Sequence, residues 1–377
     1  MELDLRGGVR AAPVLGGTPR ERQALRFAPD PPERDADPEH VARTARENEE
    51  DGLDSALVTQ SSSWPDPWLV GAWALAATSR LRIAVAHRAG VTAPTSAARA
   101  LATLDRLSGG RVSAHVIVGS SDADTARDGD TLAKADRYRR AGEYLELFTR
   151  TLTERRGFDH EGEFYAVRDA RSGVWPRPGG ELLSFGGSSP EGVRLAARFA
   201  EVYAVAPGPL SATRRRIAEA RAAAAAQGRT LRIWRHVPLV LAATDEAAAE
   251  RARRIGRDAI RLTTGPGSGR WYEAVQLDRD RERGHGGAGG AAPDPVREHA
   301  QLAAYVRRSL AGAFIGSPEG VAERIGRLRA AGVDIVQLDT AVETDEDREL
   351  RRTLVSLLRS GYLPRPARSG PYQRRGW

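Results

Sequence analysis

The sequence predicts an α/β fold in which eight parallel strands close into a (β/α)8 TIM barrel, with insertions after the fourth strand and between the seventh and eighth. Amphipathic stretches of helical length alternate with short apolar runs along most of the chain, which is the pattern of a parallel sheet covered by helices. The junctions between them carry helix caps and glycine stops. At 377 residues the chain is long enough for one such barrel with insertions. An open, doubly wound sheet arises from the same alternation and is the competing architecture.

The first strand has two candidates, Glu2 to Leu5 and Leu25 to Ala28. The regular pattern begins at Asp37, where Asp37 supplies an N-cap, Pro38 stands at N1 and Glu39 puts a carboxylate in the first turn of a helix reaching about Asp51. Gly52 is suited to a left-handed cap, and Ser55 to Thr59 reads as a buried strand. The step then recurs. A helix from Pro67 to Thr78 leads to LRIAVAHR, and one from Pro94 to Leu107 leads to RVSAHVIVG. LLSFGG, EVYAVA, IWRHVPLVLA and VDIVQLD supply the later strands, with Ala- and Arg-rich helices between them.

Two segments interrupt the rhythm. After the fourth strand come a long helix, Lys134 to Glu154, and a hairpin-like stretch, HEGEFYAVRDARSG. After the seventh, residues 263–299 carry GPGSG and GHGGAGGAAP, a composition expected of a mobile lid at the barrel mouth or of a passive linker. The chain thus divides into an N-terminal segment (1–36), the barrel (37–362) and a basic tail (363–377).

Composition removes several function classes. With no cysteine, the chain has no disulfide, thiolate nucleophile or cysteine metal site. Its seven histidines show no HxH or HExxH spacing, and neither GxSxG nor GxxxxGK[ST] occurs, so zinc-hydrolase, α/β-hydrolase and P-loop chemistry are set aside and no metal is expected. The net charge is +7, but 57 Lys+Arg are interleaved with 50 Asp+Glu along helices, so nucleic acid is not the expected partner. No apolar run approaches the roughly 20 residues of a membrane span, and the start lacks a signal pattern; a cytoplasmic location is the expectation.

The sharpest local signal is SFGGSSPEG, where a strand runs through Gly186 and Gly187 into Ser188, Ser189 and a helix opened by Pro190. Backbone N–H groups at a helix N-terminus, with two hydroxyls beside them, suit a phosphate. The plain alternative is an N-cap, and SPEG recurs at Ser317. Gly119 and Ser120, at the end of the fourth strand, leave room for a flat ring close to backbone, and Tyr138 on the long helix carries a hydroxyl that could reach a phosphate or pack in the core. His87 and Arg88, and Arg235 and His236, lie at or near strand ends. Neighbours on a strand point to opposite faces, so only one of each pair can face the barrel interior. An interior arginine would stabilise an oxyanion and a histidine would relay a proton. Arg307, just beyond the glycine-rich segment, could close on an anionic group or stay exposed.

The segment VTAPTSAARALATLDRLSGGRVSAHVIVGSSDAD, with DRYRRAGEYLELF, FDHEGEFYAV and LLSFGGSSPEG, resembles the luciferase-like flavin monooxygenases, most closely the alkanesulfonate monooxygenase branch, from about Asp37 to about Leu358. That resemblance implies a (β/α)8 barrel, usually a homodimer or homotetramer, that receives reduced FMN from a separate flavin reductase and uses it with dioxygen to oxygenate a small organic substrate. It assigns the FMN phosphate to Tyr138 and the Gly187, Ser188, Ser189 turn, and the strand end beside the isoalloxazine to Gly119 and Ser120. Arg235 matches an active-site arginine, and Arg307 matches one on the mobile segment. His87 or His236 would relay protons. Trp64 stands where sulfonate enzymes carry a cysteine, Ala206 replaces a tryptophan, Ala341 a tyrosine and Val237 a histidine, so the substrate is open. A deazaflavin-dependent oxidoreductase and a non-catalytic flavin-binding barrel are the alternatives.

Overall fold

The computed structural model describes residues 2–30, 34–119, 121–265, 270–271, 274–275 and 295–361. Its elements run β1 (Asp4–Val9), α1 (Pro19–Leu25), α2 (Pro38–Glu50), β2 (Ser55–Val58), α3 (Pro67–Ala76), β3 (Arg82–Arg88), α4 (Pro94–Ser108), β4 (Val112–Ile117), α5 (Asp122–Arg127) and α6 (Lys134–Thr153). They continue β5 (Phe158–Glu161), β6 (Ala166–Ala170), β7 (Leu183–Gly186), α7 (Pro190–Phe199), β8 (Val202–Val205), α8 (Leu210–Ala225), β9 (Arg232–Leu241) and α9 (Asp245–Thr263). After part of the glycine-rich stretch come α10 (Pro295–Ala311), β10 (Phe314–Gly316), α11 (Pro318–Ala330), β11 (Ile335–Thr340) and α12 (Asp345–Arg359). Among the described residues no helix is long and apolar enough to cross a membrane.

Eight of these strands close a parallel barrel in the order β1-β2-β3-β4-β7-β8-β9-β11, with β11 returning to pair with β1. The closed barrel, not the open sheet, is therefore the architecture. The N-terminal ambiguity resolves to β1: Leu25 belongs instead to α1, which Thr18 and Glu21 open with a reciprocal capping box. The short helices α1 and α5 escaped sequence reading because each is under two full turns and shows no apolar period. β10 sits outside the barrel and extends the far end of β9 at Leu239–Leu241. The hairpin β5–β6 is pinned to α6 by Glu143, which accepts from Phe164 N, Tyr165 N and His160 Nε2, each at 2.9 Å.

Alternation along the strands separates two cores. Leu5, Ala56, Ile83, Ala114, Phe185 and Val336 face the helix layer in one large cluster. Leu57, Ala84, Val202, Trp234 and Ile335 fill the barrel axis. Below them the floor is polar: the Asp4 carboxylate pairs with Arg82, accepts from Ser55 Oγ at 3.2 Å and lies 3.6 Å from Arg232, while Arg6 Nε donates to Ser55 Oγ at 3.0 Å.

Several ion pairs fasten the last helix to α2 and the segments around it, among them Arg348 with Glu50 and Arg359 with Asp54, and one carboxylate holds three of its arginines. Asp51, at the C-terminal end of α2, is fully enclosed and bonded to Arg348 at 2.9 Å, Arg352 at 2.7 Å and Arg351, all on α12. A negative group at a helix C-terminus opposes the helix dipole, and the three guanidinium groups more than offset this. Removing one partner of a buried ion pair leaves the other uncompensated, so Asp51→Ala is expected to cost about 3–5 kcal/mol. Chemical denaturation checks it, and a loss under about 1 kcal/mol would show that the clasp is dispensable.

Candidate functional site

A cavity of about 750 Å³ opens at the carboxyl ends of the strands. Its wall includes Gly8 and Val9 from β1, Thr59 and Gln60 after β2, His115 of β4, Gly187 and Ser188 after β7, Val205 and Ala206 at β8, Trp234 and His236 of β9, and Gln337 and Asp339 of β11. Loops at this end of a parallel barrel are where chemistry is built, because they converge on the axis while the strands below hold them rigid.

One side of the cavity is the turn after β7. Ser189 caps α7, accepting from Gly192 N at 3.2 Å, and Ser188 is exposed beside it. A Cβ on Gly192 would stand 2.9 Å from the Gly187 carbonyl, so the first helical turn packs directly on Gly187. A Cβ on Gly187 would stand 3.0 Å from the Tyr138 hydroxyl, which places Tyr138 against the double-serine turn. Tyr138 is buried to 8% exposure, and its hydroxyl makes no hydrogen bond among the described residues.

At the end of β4, Gly119 has φ +83°, and a Cβ there would be 2.3 Å from Thr125 Cγ2. Only glycine fits without strain. Two buried arginines flank it. Arg88 pairs with Asp124 at 2.6 Å and Asp128 at 2.7 Å, and Arg137 holds Val118 O at 3.1 Å, Leu132 O at 2.6 Å and Asp122 at 2.8 Å. Arg88 Nε and Arg137 Nη2 remain without partners among the described residues. Ser120 lies outside the described residues.

On β9 the structure corrects the expected roles. Arg235 points away from the cavity: its guanidinium donates to Thr213 Oγ1 at 2.5 Å and Gly208 O at 2.7 Å, tying β9 to the β8–α8 connection. Alternation puts Trp234 and His236 inside instead. The resemblance set an arginine and a histidine two residues apart on Arg235 and Val237. Moved by one residue, the same spacing falls on Trp234 and His236, both of which line the cavity. His236 Nε2 is 3.1 Å from Asp339 Oδ2, and Arg26 Nη2 donates to Asp339 Oδ1 at 2.5 Å. Burial alone would raise the Asp339 carboxyl, but Arg26, His236 and Arg10 hold it well below the usual carboxylate range.

His87 is likewise a packing residue in this structure. It faces the helix layer, taking a hydrogen bond from Trp68 Nε1 at 3.1 Å and contacting the Tyr144 hydroxyl at 2.6 Å. Burial pushes its imidazole down to about 4, so it is neutral and its Nε2–H donates to Tyr144. Arg307 is exposed on α10; Tyr305 and Ser309, one turn apart, are the residues of that helix that line the cavity, and position 307 falls on another face. Trp64 does line the cavity, under the Arg34 guanidinium at 3.9 Å. Of the glycine-rich stretch, residues 266–269, 272–273 and 276–294 lie outside the described residues, as does the basic tail; Ala274 reaches the cavity wall.

Sequence reading missed the contribution of the N-terminal segment. Arg10, Arg26, Phe27 and Asp30 all line the cavity, and Asp30 is shared by Arg10 at 2.8 Å and Arg34 at 2.7 Å. No motif marks them, because their partners are distant in the chain. His115 was also missed, although its interior position follows from the alternation of β4.

With this geometry in view, the class follows: the luciferase-like monooxygenase family matches residues 19–335. The chain belongs to that family, whose members are flavin-dependent monooxygenases. It is similar in fold to riboflavin lyase (RcaE) solved with modified FMN and riboflavin, at 20% identity and TM-score 0.74 over 98% of this chain and 94% of that one. EDTA monooxygenase (EmoA) from Chelativorans sp. BNC1 is 21% identical, with TM-score 0.70 over 97% and 95%. An F420-dependent secondary alcohol dehydrogenase is 14% identical, with TM-score 0.68 over 95% and 100%.

Two outcomes follow from the geometry. Gly119→Ala is expected to cost about 1–3 kcal/mol through backbone strain, and Thr125→Ala, by removing the colliding methyl, should recover part of it; denaturation of the single and double variants measures this. Because the Asp339 carboxyl is depressed in the folded state, its stabilisation is complete above about pH 4 and is lost as pH falls through the folded value. Asp339→Asn should therefore be less stable than the parent at pH 7, with the gap shrinking below pH 4. A gap that is constant between pH 7 and 3 would contradict this.

Proposed function

We propose that this chain is the oxygenating component of a two-component system that takes reduced FMN from a separate reductase and oxygenates a small organic substrate. The observation that carries this reading is the meeting of Tyr138 with the Gly187–Ser189 turn at the N-terminus of α7, from positions some fifty residues apart. A hydroxyl without a hydrogen-bond partner among the described residues, two serines and a helix N-terminus together make a phosphate cradle. At the end of β4, Gly119 is fixed by its positive φ and by Thr125, which occupies the place of a Cβ. These residues fit a phosphorylated flavin. When bound, reduced FMN supplies the two electrons that let one atom of dioxygen enter the substrate while the other leaves as water.

The remaining roles fall to the cavity wall. Asp339, held ionised, accepts from His236 Nε2–H and so fixes the tautomer in which Nδ1 is an acceptor, leaving that atom able to hold a proton taken from substrate. Phe27, Leu57, Trp64 and Val205 give the cavity apolar sides suited to a hydrocarbon or aromatic body and help keep bulk water out.

Anaerobic titration with reduced FMN tests the cradle. Tyr138→Phe combined with Ser188→Ala is expected to weaken affinity by about 100-fold or more, since each lost hydrogen bond to a charged group is worth about 1.5–3 kcal/mol. Unchanged affinity would sink the reading. A reduced deazaflavin could use the same cradle; tight binding of reduced F420 with hydride transfer and no oxygen uptake would replace the monooxygenase assignment.

A further inference from the structure

The inner wall of the cavity carries polar groups that the fold leaves unused. His115, Gln337 and Trp234 are 8%, 7% and 3% exposed, and all three line the cavity. Trp234 Nε1–H has no hydrogen-bond partner, and neither the Gln337 amide nor His115 Nε2 makes a hydrogen bond among the described residues. The three come from three strands, β4, β9 and β11, with Gln337 paired in register between Arg6 and His236. The His115 ring meets Trp234 edge-on, centroids 4.5 Å apart.

The protonation of His115 can be worked out. Its Nδ1 is 2.9 Å from Ser184 Oγ. The Ser184 hydroxyl has no other acceptor among the described residues, so it donates to Nδ1 and leaves the proton of the neutral ring on Nε2. Burial, reinforced by the charge of Arg6, pushes the imidazole down to about 3, which keeps it neutral at physiological pH. Gly186 makes the room: a Cβ there would stand 2.8 Å from Nε2. Behind Trp234, the Arg6 guanidinium lies 4.4 Å from the indole centroid, and its Nη1 has no partner among the described residues. Burial lowers Arg6 to about 10, so it stays cationic. The one cavity carboxylate on these strands, Asp339, is already engaged by Arg26 and His236.

We propose that this wall is a recognition subsite for an acceptor oxygen, a carbonyl or carboxylate carried inward by a molecule in the cavity. His115 Nε2–H and the Gln337 amide donate to it, and Arg6 supplies positive potential from behind. The His115 N–H and the Arg6 charge favour a ligand that brings lone pairs, the Gln337 NH2 can meet the same oxygen, and a buried setting strengthens each such bond. A neutral imidazole gives a donor whose strength does not change across the physiological pH range. The oxygen has two possible sources, a ring carbonyl of the flavin or an oxygen of the substrate; only the first rests on the flavin reading above.

Binding of FMN and of benzoate, followed separately by flavin fluorescence and by calorimetry, distinguishes them. The variants are His115→Phe and Gln337→Met, each checked for an unchanged melting transition. About tenfold weaker benzoate binding with FMN unaffected assigns the oxygen to the substrate. About tenfold weaker FMN binding with benzoate unaffected assigns it to the flavin. Folded variants that bind both probes like the parent overturn the subsite. Should Tyr138→Phe/Ser188→Ala leave FMN affinity intact while His115→Phe weakens benzoate, the flavin cradle fails and the subsite stands.

Discussion

Closure of the barrel is the constraint on which the rest depends. Once β8 pairs with β9 and β11 with β1, each of the eight barrel strands has neighbours on both sides, and each interior position is fixed by the two-residue alternation of the backbone. That alternation decides which side chains reach the cavity. It sends Trp234, His236, Gln337 and Asp339 inward and Arg235 and His87 outward, whatever their chemical suitability. A one-residue shift would exchange the two sets, because neighbouring residues lie on opposite faces.

A second organising feature is the distribution of charge. The chain is strongly basic, yet the arginines around the cavity are held by carboxylates, most of them from distant segments: Arg88 by Asp124 and Asp128, Arg10 by Asp30, which also takes the nearby Arg34, and Arg26 by Asp339. Arg6 contrasts with them, since its guanidinium donates to Ser55 and stacks on Trp234, with Nη1 left over. Ion pairs of this kind are costly to desolvate and add little net stability, but they fix geometry. Here they fasten the N-terminal segment and the loops after β2 and β4 into one rim, so the wall of the site is assembled from pieces that have no local reason to meet.

The proposed flavin cradle and the proposed substrate wall differ in how they are encoded. The Gly187–Ser189 turn is written in consecutive residues, since a strand end, a glycine pair and a helix cap are local events. Tyr138 could be placed near it only by resemblance, and the structure brings the two together through the packing of α6 beside α7. The substrate wall has no such local signature. Arg10, Arg26 and Asp30 come from a segment whose strand was itself ambiguous, and the carry-over to β9 fell one residue away from the inward pair because sequence similarity carries no direct record of which face a residue occupies.

By itself the sequence determined the alternation of helix and strand, the caps that bound most elements, the absence of thiol and metal chemistry motifs, and the strand-to-helix turn through Gly187, Ser188 and Ser189 after β7. These are properties of short windows, where backbone preference and side-chain period act within about ten residues. Only the tertiary structure decided which strand opened the barrel, that His87 and Arg235 serve packing, and that His115, Trp234 and Gln337 share one wall. The physical reason is that facing and proximity inside a closed barrel depend on strand register and tilt, which arise when all eight strands pair at once.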